Sequence, residues 1–276
     1  MRKQRHRYEY KVTPNATGEK VVRMVGANKR VLELGSGPGS ITRLMKENGC
    51  HVTALELDHK AIELVTQHSE RVIRCDLNDP DWPKALSGSD EFEVIVAGDV
   101  LEHLYDPWTT LRRVALLLAK NGYIVVSIPH IGHNAVVACL LNEDFEYQPW
   151  GLLDKTHIRF FGIKNIQKMF DDSGYKIVEA EFVVKTPEQT EFARCWRKLS
   201  PEVRRVLSRN RFGTVYQVVI KAAVKSAPGK GLRLESVAVS APLAQSFVKR
   251  VRSFILSFLN LRTREKISRI FGRAGF

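Results

Sequence analysis

The chain has 276 residues, enough for one large hydrophobic core and a smaller additional segment. Its net charge of +13 is confined to the two ends, because residues 8–224 hold 28 basic and 28 acidic side chains. A neutral central region argues against a nucleic-acid substrate, which would favour a positive field around the active site. No apolar run reaches the roughly 18 residues of a membrane span, so a membrane-spanning protein is not expected.

The N-terminus and the cysteines both favour a cytoplasmic protein. Residues 1–7 are basic, but residues 8–15 provide no apolar stretch of the kind that a signal peptide needs. The cysteines show no C-x-x-C spacing, and most fall in or beside predicted core elements. We interpret them as reduced structural thiols, and not as disulfides or metal ligands: Cys50, Cys75, Cys139 and Cys195.

Three segments are predicted along the chain. Residues 1–29 form an N-terminal helical segment, with a helix near Thr17–Val25 that covers the ligand site. Residues 30–224 form the main domain, in which strand and helix patterns alternate five times up to residue 128. Residues 225–276 combine a linker with a basic amphipathic helical tail. The predicted fold is α/β, with a doubly wound, mostly parallel sheet and a C-terminal helical appendage.

The first strand of the main domain leads into a glycine-rich turn. Residues 31–34 are apolar apart from Glu33, and a helix pattern follows the turn at once. Glycines allow a ligand to approach the backbone closely, and the N–H groups of the helix point to the same place. The third glycine comes one residue too early for the G-x-G-x-x-G fingerprint of dinucleotide-binding proteins. The acidic side chain of Glu33 favours a cationic ligand such as a sulfonium. The residues of the turn are Gly35, Ser36, Gly37 and Gly39.

Acidic residues recur where the next strands end. Residues 51–56 end in Glu56, about 20 residues after the glycines, where a carboxylate can accept both hydroxyl groups of a ribose. Two later strand-like runs end at or near Asp76 and Asp99. Open α/β sheets bind ligands at the C-terminal ends of their strands. A single acid there would be read as a helix cap or turn former, but four acids in the same register predict a ligand site.

Cap and turn signals set three boundaries in the later part of the chain. Asp106-Pro107, an N-cap followed by a first-turn proline, predicts a helix over residues 106–119 that Asn121-Gly122 ends. A further helix is predicted over residues 163–173. The Pro- and Gly-containing stretch at residues 226–231 is typical of a linker.

These residues resemble the motifs of class I S-adenosylmethionine-dependent methyltransferases. Residues 33–39 match the family's E/D-x-G-x-G-x-G motif, and residues 97–104 match the loop beneath the methionine part of the cofactor. The resemblance covers about residues 12–222. It implies a Rossmann-like, seven-stranded sheet in which residues 175–184 and 214–222 form a closing antiparallel hairpin.

The resemblance also implies roles in binding S-adenosylmethionine. Glu33 and the glycine turn would hold the methionine part, Glu56 the ribose and Asp76 the amino group of adenine. Asp99 would position the loop beneath the sulfonium. The expected cofactor-binding residues are Glu33, Gly35, Ser36, Gly37, Gly39, Glu56, Leu57, Asp76, Leu77 and Asp99.

Methyl transfer to an alcohol requires alignment of the reacting atoms and a base that removes the hydroxyl proton. Residues 129–161 are predicted to be an irregular insert over the active site, and loops of this length are usually functional. The candidate catalytic residues are His157 and Asp154 in the insert, His130 at the end of the fifth strand, and His103 after the Asp99 loop. The alternatives are a structural hydrogen bond for His157 and a capping or packing role for His103. No metal is expected, since neither H-x-x-x-H nor C-x-x-C occurs.

Residues 151–161 resemble an insert in a subgroup of bacterial methyltransferases that often occur with cell-surface glycan enzymes. This implies a small-molecule or glycan acceptor, with a lipid-linked glycan included, and the expected reaction is O-methylation. Residues 243–273 are predicted to lie on the anionic surface at the inner face of the membrane. The alternative is that they dock on their own domain or on a second subunit. A nicotinamide-dependent oxidoreductase and a non-catalytic scaffold with the same fold remain alternative functions, and the oligomeric state is open.

Overall fold

The computed structural model describes residues 16–86 and 91–241. Seven strands in these residues form one sheet: β1 (Arg30–Leu34), β2 (His51–Glu56), β3 (Arg71–Arg74), β4 (Phe92–Gly98), β5 (Leu118–Pro129), β6 (Tyr175–Val184) and β7 (Val215–Val224). Their order across the sheet is β3-β2-β1-β4-β5-β7-β6. Strands β1 to β5 pair in parallel, and β7 runs antiparallel to both β5 and β6. The predicted mostly parallel, seven-stranded α/β fold with its closing hairpin is confirmed.

Helices cover both faces of this sheet. Successive residues of β1 are buried on opposite faces, because Leu32 and Leu34 belong to one core cluster and Val31 to the other. The predicted helices near residues 17–25 and 163–173 are confirmed. The α-helices of the described residues are α1 (Thr17–Val25), α2 (Ser40–Glu47), α3 (His59–Val65), α4 (Pro107–Val114), α5 (Asn134–Leu141), α6 (Ile163–Asp172), α7 (Ala193–Lys198) and α8 (Pro201–Leu207).

The helix predicted over residues 106–119 is shorter than expected. Asp106 caps it as predicted, since its carboxylate accepts the Thr109 N–H at 2.9 Å, but α4 ends at Val114. Residues 121–122 do not end the helix, because β5 has already begun at Leu118. Asn121 has a φ of +65° and lies where the register between β4 and β5 shifts. The Asn-Gly pair therefore lies in an irregular part of β5. Such irregularities, like helix ends, favour residues that tolerate left-handed backbone.

The insert over residues 129–161 is not irregular throughout, because α5 occupies residues 134–141. His133 caps this helix by accepting the Ala135 N–H on its Nδ1 atom at 3.1 Å. One side of α5 packs against α7 and β7 in a small core of its own. That core contains Ala135, Val136, Ala138, Cys139, Leu152, Leu153, Phe192, Cys195, Trp196 and Tyr216. The prediction failed because α5 is apolar around its whole circumference, so its sequence lacks the helical period.

The predicted boundary at residue 225 falls inside the packed part of the chain, which extends to Ser240. Leu234 is fully buried in the main core, and its N–H donates to Gln167 Oε1 at 2.9 Å. Arg233 pairs with Asp171 at 2.9 Å, and the Leu232 N–H donates to the Ile177 carbonyl at 2.8 Å. The predicted linker at residues 226–231 is thus followed by a segment that packs on α6 and β6.

The amphipathic tail predicted over residues 243–273 lies outside the described residues. Within the described residues, no helix is both long and apolar enough to cross a bilayer. All four cysteines are buried free thiols, in agreement with their interpretation as structural residues.

Replacing Leu234 by Ala should lower the free energy of unfolding by about 2–5 kcal/mol, because truncating a fully buried leucine leaves a cavity. Urea denaturation of the full chain measures this loss. Leu116→Ala is the matched control, since Leu116 is 84% exposed and its truncation should change stability by less than about 0.5 kcal/mol. Equal effects of the two substitutions would mean that residues 225–240 do not belong to the core.

Candidate functional site

The turn between β1 and α2 has left-handed backbone at each of its glycines. Gly37 has a φ of +54°, and a Cβ atom built there would meet no atom within 4 Å, so the backbone is open to a ligand. Gly39 has a φ of +85°, and a Cβ there would lie 3.1 Å from the Val65 Cα atom. The backbone conformation therefore requires glycine at both Gly37 and Gly39, and at Gly39 the close packing against Val65 requires it as well.

Glu56 joins this turn to the end of β2. One carboxylate oxygen accepts the Gly37 N–H at 2.7 Å, and the other accepts the N–H groups of Leu57 and Asp58 at 2.7 and 2.8 Å. The side chain is half-buried, so the carboxylate remains within reach of a ligand. The predicted ribose-binding acid and the glycine turn are thus brought together at one edge of the sheet.

Glu33 lies beneath the turn and not on its surface. Its carboxylate is buried and accepts the Thr42 hydroxyl at 2.6 Å. Burial, opposed by this hydrogen bond, raises the pKa of Glu33 from 4.5 to about 8. A carboxyl group with this pKa is mostly uncharged at neutral pH, so in the free protein Glu33 contributes less negative charge to the turn than its sequence position indicates.

The residues after β2 and β3 form the adjoining wall of the same edge. Leu57 follows β2 and is 50% exposed although it is apolar, whereas Leu77 follows β3 and is buried in the main core. Asp76 lies in a turn where its carboxylate accepts the Asn78 N–H at 2.9 Å. Asp76, Leu57 and Leu77 thus follow neighbouring strand ends, and their role in binding adenine stays a prediction.

Asp99 is held by direct contacts to β5 and β7, and Gln217 connects it to α1. It has a φ of +55°, its carboxylate accepts the Ser127 hydroxyl at 2.6 Å, and both of its oxygens lie 2.9 Å from Gln217 Nε2. Gln217 in turn accepts a hydrogen bond from the Thr17 hydroxyl at the start of α1. Burial raises the pKa of Asp99, although these hydrogen bonds and the nearby Lys185 oppose the shift.

Glu102, His103 and His157 form a polar cluster next to the Asp99 loop. Their candidate ligand atoms all lie within 4.8 Å of one another, and His157 Nε2 is 3.9 Å from a Glu102 carboxylate oxygen. The rings of His103 and His157 meet edge to face with centroids 4.7 Å apart. Burial raises the pKa of Glu102 well above its usual value, and burial lowers the pKa of His157 to about 4.

The other predicted catalytic residues lie in structural contacts. One carboxylate oxygen of Asp154 accepts both the N–H and the hydroxyl of Thr156, at 2.8 and 2.6 Å, and so shapes the turn before His157. His130 is buried, and its Nδ1 donates to the Val215 carbonyl at 3.1 Å. Burial lowers the pKa of His130. The structure therefore brings together His103 and His157 but not His130.

Sequence reasoning missed Glu102, Ser127 and Gln217. Glu102 follows directly from the Asp99 loop, but an acid in a short helical turn usually points to solvent, and nothing in the sequence signals its burial. Ser127 and Gln217 lie inside strands without any motif. Only the pairing of Ser127 with its β7 neighbours reveals that both side chains reach Asp99.

A model of the family described as a methyltransferase domain matches residues 3–180 of this chain. The ubiquinone biosynthesis O-methyltransferase of Aeromonas salmonicida is 23% identical over 168 residues, or 59% of this chain and 70% of that protein. The protein of the same name from Aromatoleum aromaticum is 26% identical over 157 residues, or 55% of this chain and 66% of that protein.

Among solved structures, the S-adenosylmethionine-dependent methyltransferase of Archaeoglobus fulgidus resembles this chain in fold. The match has a TM-score of 0.54 at 19% identity and covers 75% of this chain and 91% of that protein. At this identity the likeness concerns the fold and not the substrate.

Glu33 should make stability depend on pH in the free protein. The folded state binds a proton with a pKa of about 8, whereas the unfolded side chain titrates near 4.5. The stability that Glu33 contributes is therefore fully present below pH 4.5 and is lost as the pH rises through about 8. Glu33→Gln removes this dependence. As the pH rises from about 5 to about 9, the free energy of unfolding of the wild type should therefore fall relative to that of the variant, by on the order of a few kcal/mol.

Urea denaturation of both proteins at the two pH values measures this difference. Glu47→Gln is the control, because Glu47 is exposed and pairs with Arg43 on the surface of α2. A wild-type protein whose stability runs parallel to that of Glu33→Gln across this range would contradict the raised pKa.

Proposed function

The chain belongs to the methyltransferase domain family and is a class I S-adenosylmethionine-dependent methyltransferase, and from this premise we propose that it O-methylates a small-molecule acceptor. The family implies a small-molecule substrate. The hydroxyl group as the methylated position is our proposal, supported by the O-methyltransferase names of both curated relatives.

The glycine turn and the acids around it fit the cofactor. The open backbone at Gly37 lies against the Glu56 carboxylate, which offers acceptor oxygens for the two ribose hydroxyls. Leu57 and Leu77 supply apolar surface for the adenine, with Asp76 at its amino edge. Asp99, held rigid by Ser127 and Gln217, supports the loop beneath the methionine part. When bound, S-adenosylmethionine supplies a methyl group on a cationic sulfur.

The observation that carries O-methylation is the pair of imidazoles next to the Asp99 loop. His103 donates from Nδ1 to the Thr156 carbonyl, and His157 donates from Nδ1 to the Leu152 carbonyl. The Nε2 atom of each ring therefore carries the lone pair, which can accept the proton of an acceptor hydroxyl. We propose His103 and His157 as the residues that act on the acceptor, with Asp154 positioning His157 through the turn and His130 supporting β7.

A direct test compares acceptors that differ only in the attacked atom. The protein is incubated with S-adenosylmethionine carrying a labelled methyl group and with matched phenols, catechols and anilines. We expect label in the hydroxyl compounds and, in a parallel reaction with the unlabelled cofactor, a mass gain of roughly 14 Da per methyl group. Transfer to the anilines alone would contradict O-methylation.

Calorimetric titration separates the two alternatives to this function. S-adenosylmethionine should bind and a nicotinamide dinucleotide should not, since the glycine spacing departs from the dinucleotide fingerprint. A protein that binds the cofactor but methylates no acceptor of any class would instead be a scaffold.

Within the small-molecule class, we propose a glycan acceptor, lipid-linked glycans included, on the likeness of residues 151–161 to inserts in glycan-associated methyltransferases. A cytoplasmic enzyme that attaches to the inner face of the membrane through residues 243–273 would meet such an acceptor. The phenol series and a panel of sugars with free hydroxyls distinguish the two acceptor types.

Glu56→Ala should weaken S-adenosylmethionine binding at least tenfold, or about 1.4 kcal/mol. The carboxylate would lose two charge-assisted hydrogen bonds to the ribose, and the Gly37 N–H would lose its acceptor. Titration calorimetry measures the affinity, and thermal unfolding verifies that the variant is folded. Glu70→Ala, at an exposed position of the same type, should leave affinity unchanged. Equal affinities of the two variants would mean that the ribose binds elsewhere.

Truncation after Ser240 should leave cofactor binding intact and abolish sedimentation with anionic vesicles at low salt. Each basic residue near such a surface contributes about 1 kcal/mol, and the removed segment carries most of the excess charge. Cutting at residue 225 would be unsuitable, because it removes the buried Leu234. An intact chain that fails to sediment with the vesicles would favour a tail that docks on protein.

A further inference from the structure

The carboxylate of Glu102 is buried, and no other described residue forms a hydrogen bond with it. The residue is 1% exposed. Within the described residues, neither of its carboxylate oxygens has a hydrogen-bond partner in another residue, and the one hydrogen bond that acts on the carboxylate comes from its own main chain. Its one ion-pair neighbour in the described residues is His157, whose Nε2 lies 3.9 Å away, beyond hydrogen-bonding distance. Burying a carboxylate without hydrogen-bond partners costs roughly several kcal/mol unless a ligand binds it.

Both neighbouring imidazoles are oriented by main-chain carbonyls. His103 Nδ1 lies 3.1 Å from the Thr156 oxygen, and His157 Nδ1 lies 3.4 Å from the Leu152 oxygen. Since a carbonyl only accepts, each Nδ1 carries the hydrogen and each Nε2 carries the lone pair. A histidine that binds a metal through one nitrogen usually donates its other N–H to a carbonyl or carboxylate in this way.

The spacing of the three side chains suits one small cation. Their ligand atoms lie within 4.8 Å of one another. Bonds of about 2.0–2.2 Å to a central ion place tetrahedral ligands roughly 3.4 Å apart, so small rotations of the side chains close the site. Asp99 and Asp154 also act electrostatically on Glu102, so the surrounding charge favours a cation.

We propose that Glu102, His103 and His157 bind a divalent transition-metal ion, with Zn²⁺ the best match to two imidazoles and one carboxylate. This ligand set favours Zn²⁺ over Mg²⁺ and Ca²⁺, which prefer oxygen ligands. Three protein ligands leave a coordination position open, as in catalytic zinc sites. The sequence expectation of no metal rested on local spacing, whereas these ligands come from the turn after β4 and from the insert.

The ion's role in the reaction rests on the proposed function. An acceptor hydroxyl bound at the open position would lose its proton to solvent more readily, because the cation lowers its pKa. The oxygen lone pair then forms the bond to the methyl carbon as the carbon–sulfur bond breaks, and that electron pair stays on sulfur. His103 and His157 would in this case act through the ion and not as free bases.

Metal binding is tested on the untagged full chain without cofactor or acceptor. The protein is treated with a chelator, exchanged into buffer, loaded with Zn²⁺ alone, and analysed for retained metal after gel filtration. We expect one equivalent per chain. Loading with Co²⁺ should give the visible absorption of a nitrogen- and oxygen-ligated ion. A wild-type chain that retains no Zn²⁺ would overturn the proposal.

Two variants locate the site. Glu102→Gln and His103→Gln should each weaken Zn²⁺ binding at least tenfold and remove the Co²⁺ absorption, while circular dichroism verifies folding. His51→Gln is the matched control, because His51 contacts Glu70 as an exposed His–Glu pair. Loss of the metal from His51→Gln with full retention by Glu102→Gln would place the binding on the surface and overturn the assignment.

The metal site and the proposed function fail separately. Zn²⁺ binding that Glu102→Gln weakens, in a protein that methylates nothing, supports the site and contradicts the function. Full O-methylation activity in the chelator-treated protein supports the function and contradicts the catalytic role of the ion.

Discussion

The parallel pairing of β1 with both β2 and β4 is the constraint on which the site depends. Leu34 lies beside Leu55 on one side and Ala97 on the other, so the three strands end at the same edge of the sheet. The glycine turn, Glu56 and Asp99 follow these strand ends and meet there, although they are far apart in the sequence. Because β1 is buried on both faces, a shift of register would displace both cores, which holds this edge in place.

Polar contacts at this edge connect it to the rest of the domain. Glu56 binds the glycine turn through Gly37, and Asp99 binds β5 through Ser127 and β7 through Gln217. The Thr17 hydroxyl extends the second set of contacts to α1. Buried carboxylates are tolerated where hydrogen bonds replace water, and Asp99 meets this condition within the protein alone. Within the described residues Glu102 has no such partner in another residue. This contrast between neighbouring carboxylates supports the proposal that Asp99 holds its loop in place and that Glu102 binds a ligand.

The two additions to the central sheet differ in their packing, because the insert has a core of its own and the segment up to Ser240 joins the main core. Helix α5 packs on α7. The turn that Asp154 stabilises places His157 against the loop after β4. In this loop, the Glu102 carbonyl accepts the N–H groups of residues 158 and 159 at 3.0 Å. The insert is therefore attached to the sheet edge by main-chain hydrogen bonds. The segment up to Ser240 similarly closes the α6 side of the main core through Leu234.

The sequence by itself determined the α/β class, the glycine turn, the strand-end acids and the family, because these depend on local period, backbone conformation and short motifs. It also predicted α1 and the hairpin of β6 and β7. It could not predict α5, which is apolar on all sides, or the strand role of Asn121-Gly122. Only the tertiary structure decided which acidic groups are buried: Glu33 beneath the turn with a raised pKa, and Glu102 beside its sequence neighbour His103 and the distant His157. Burial and long-range pairing depend on the packing of the whole chain, and no local pattern carries them.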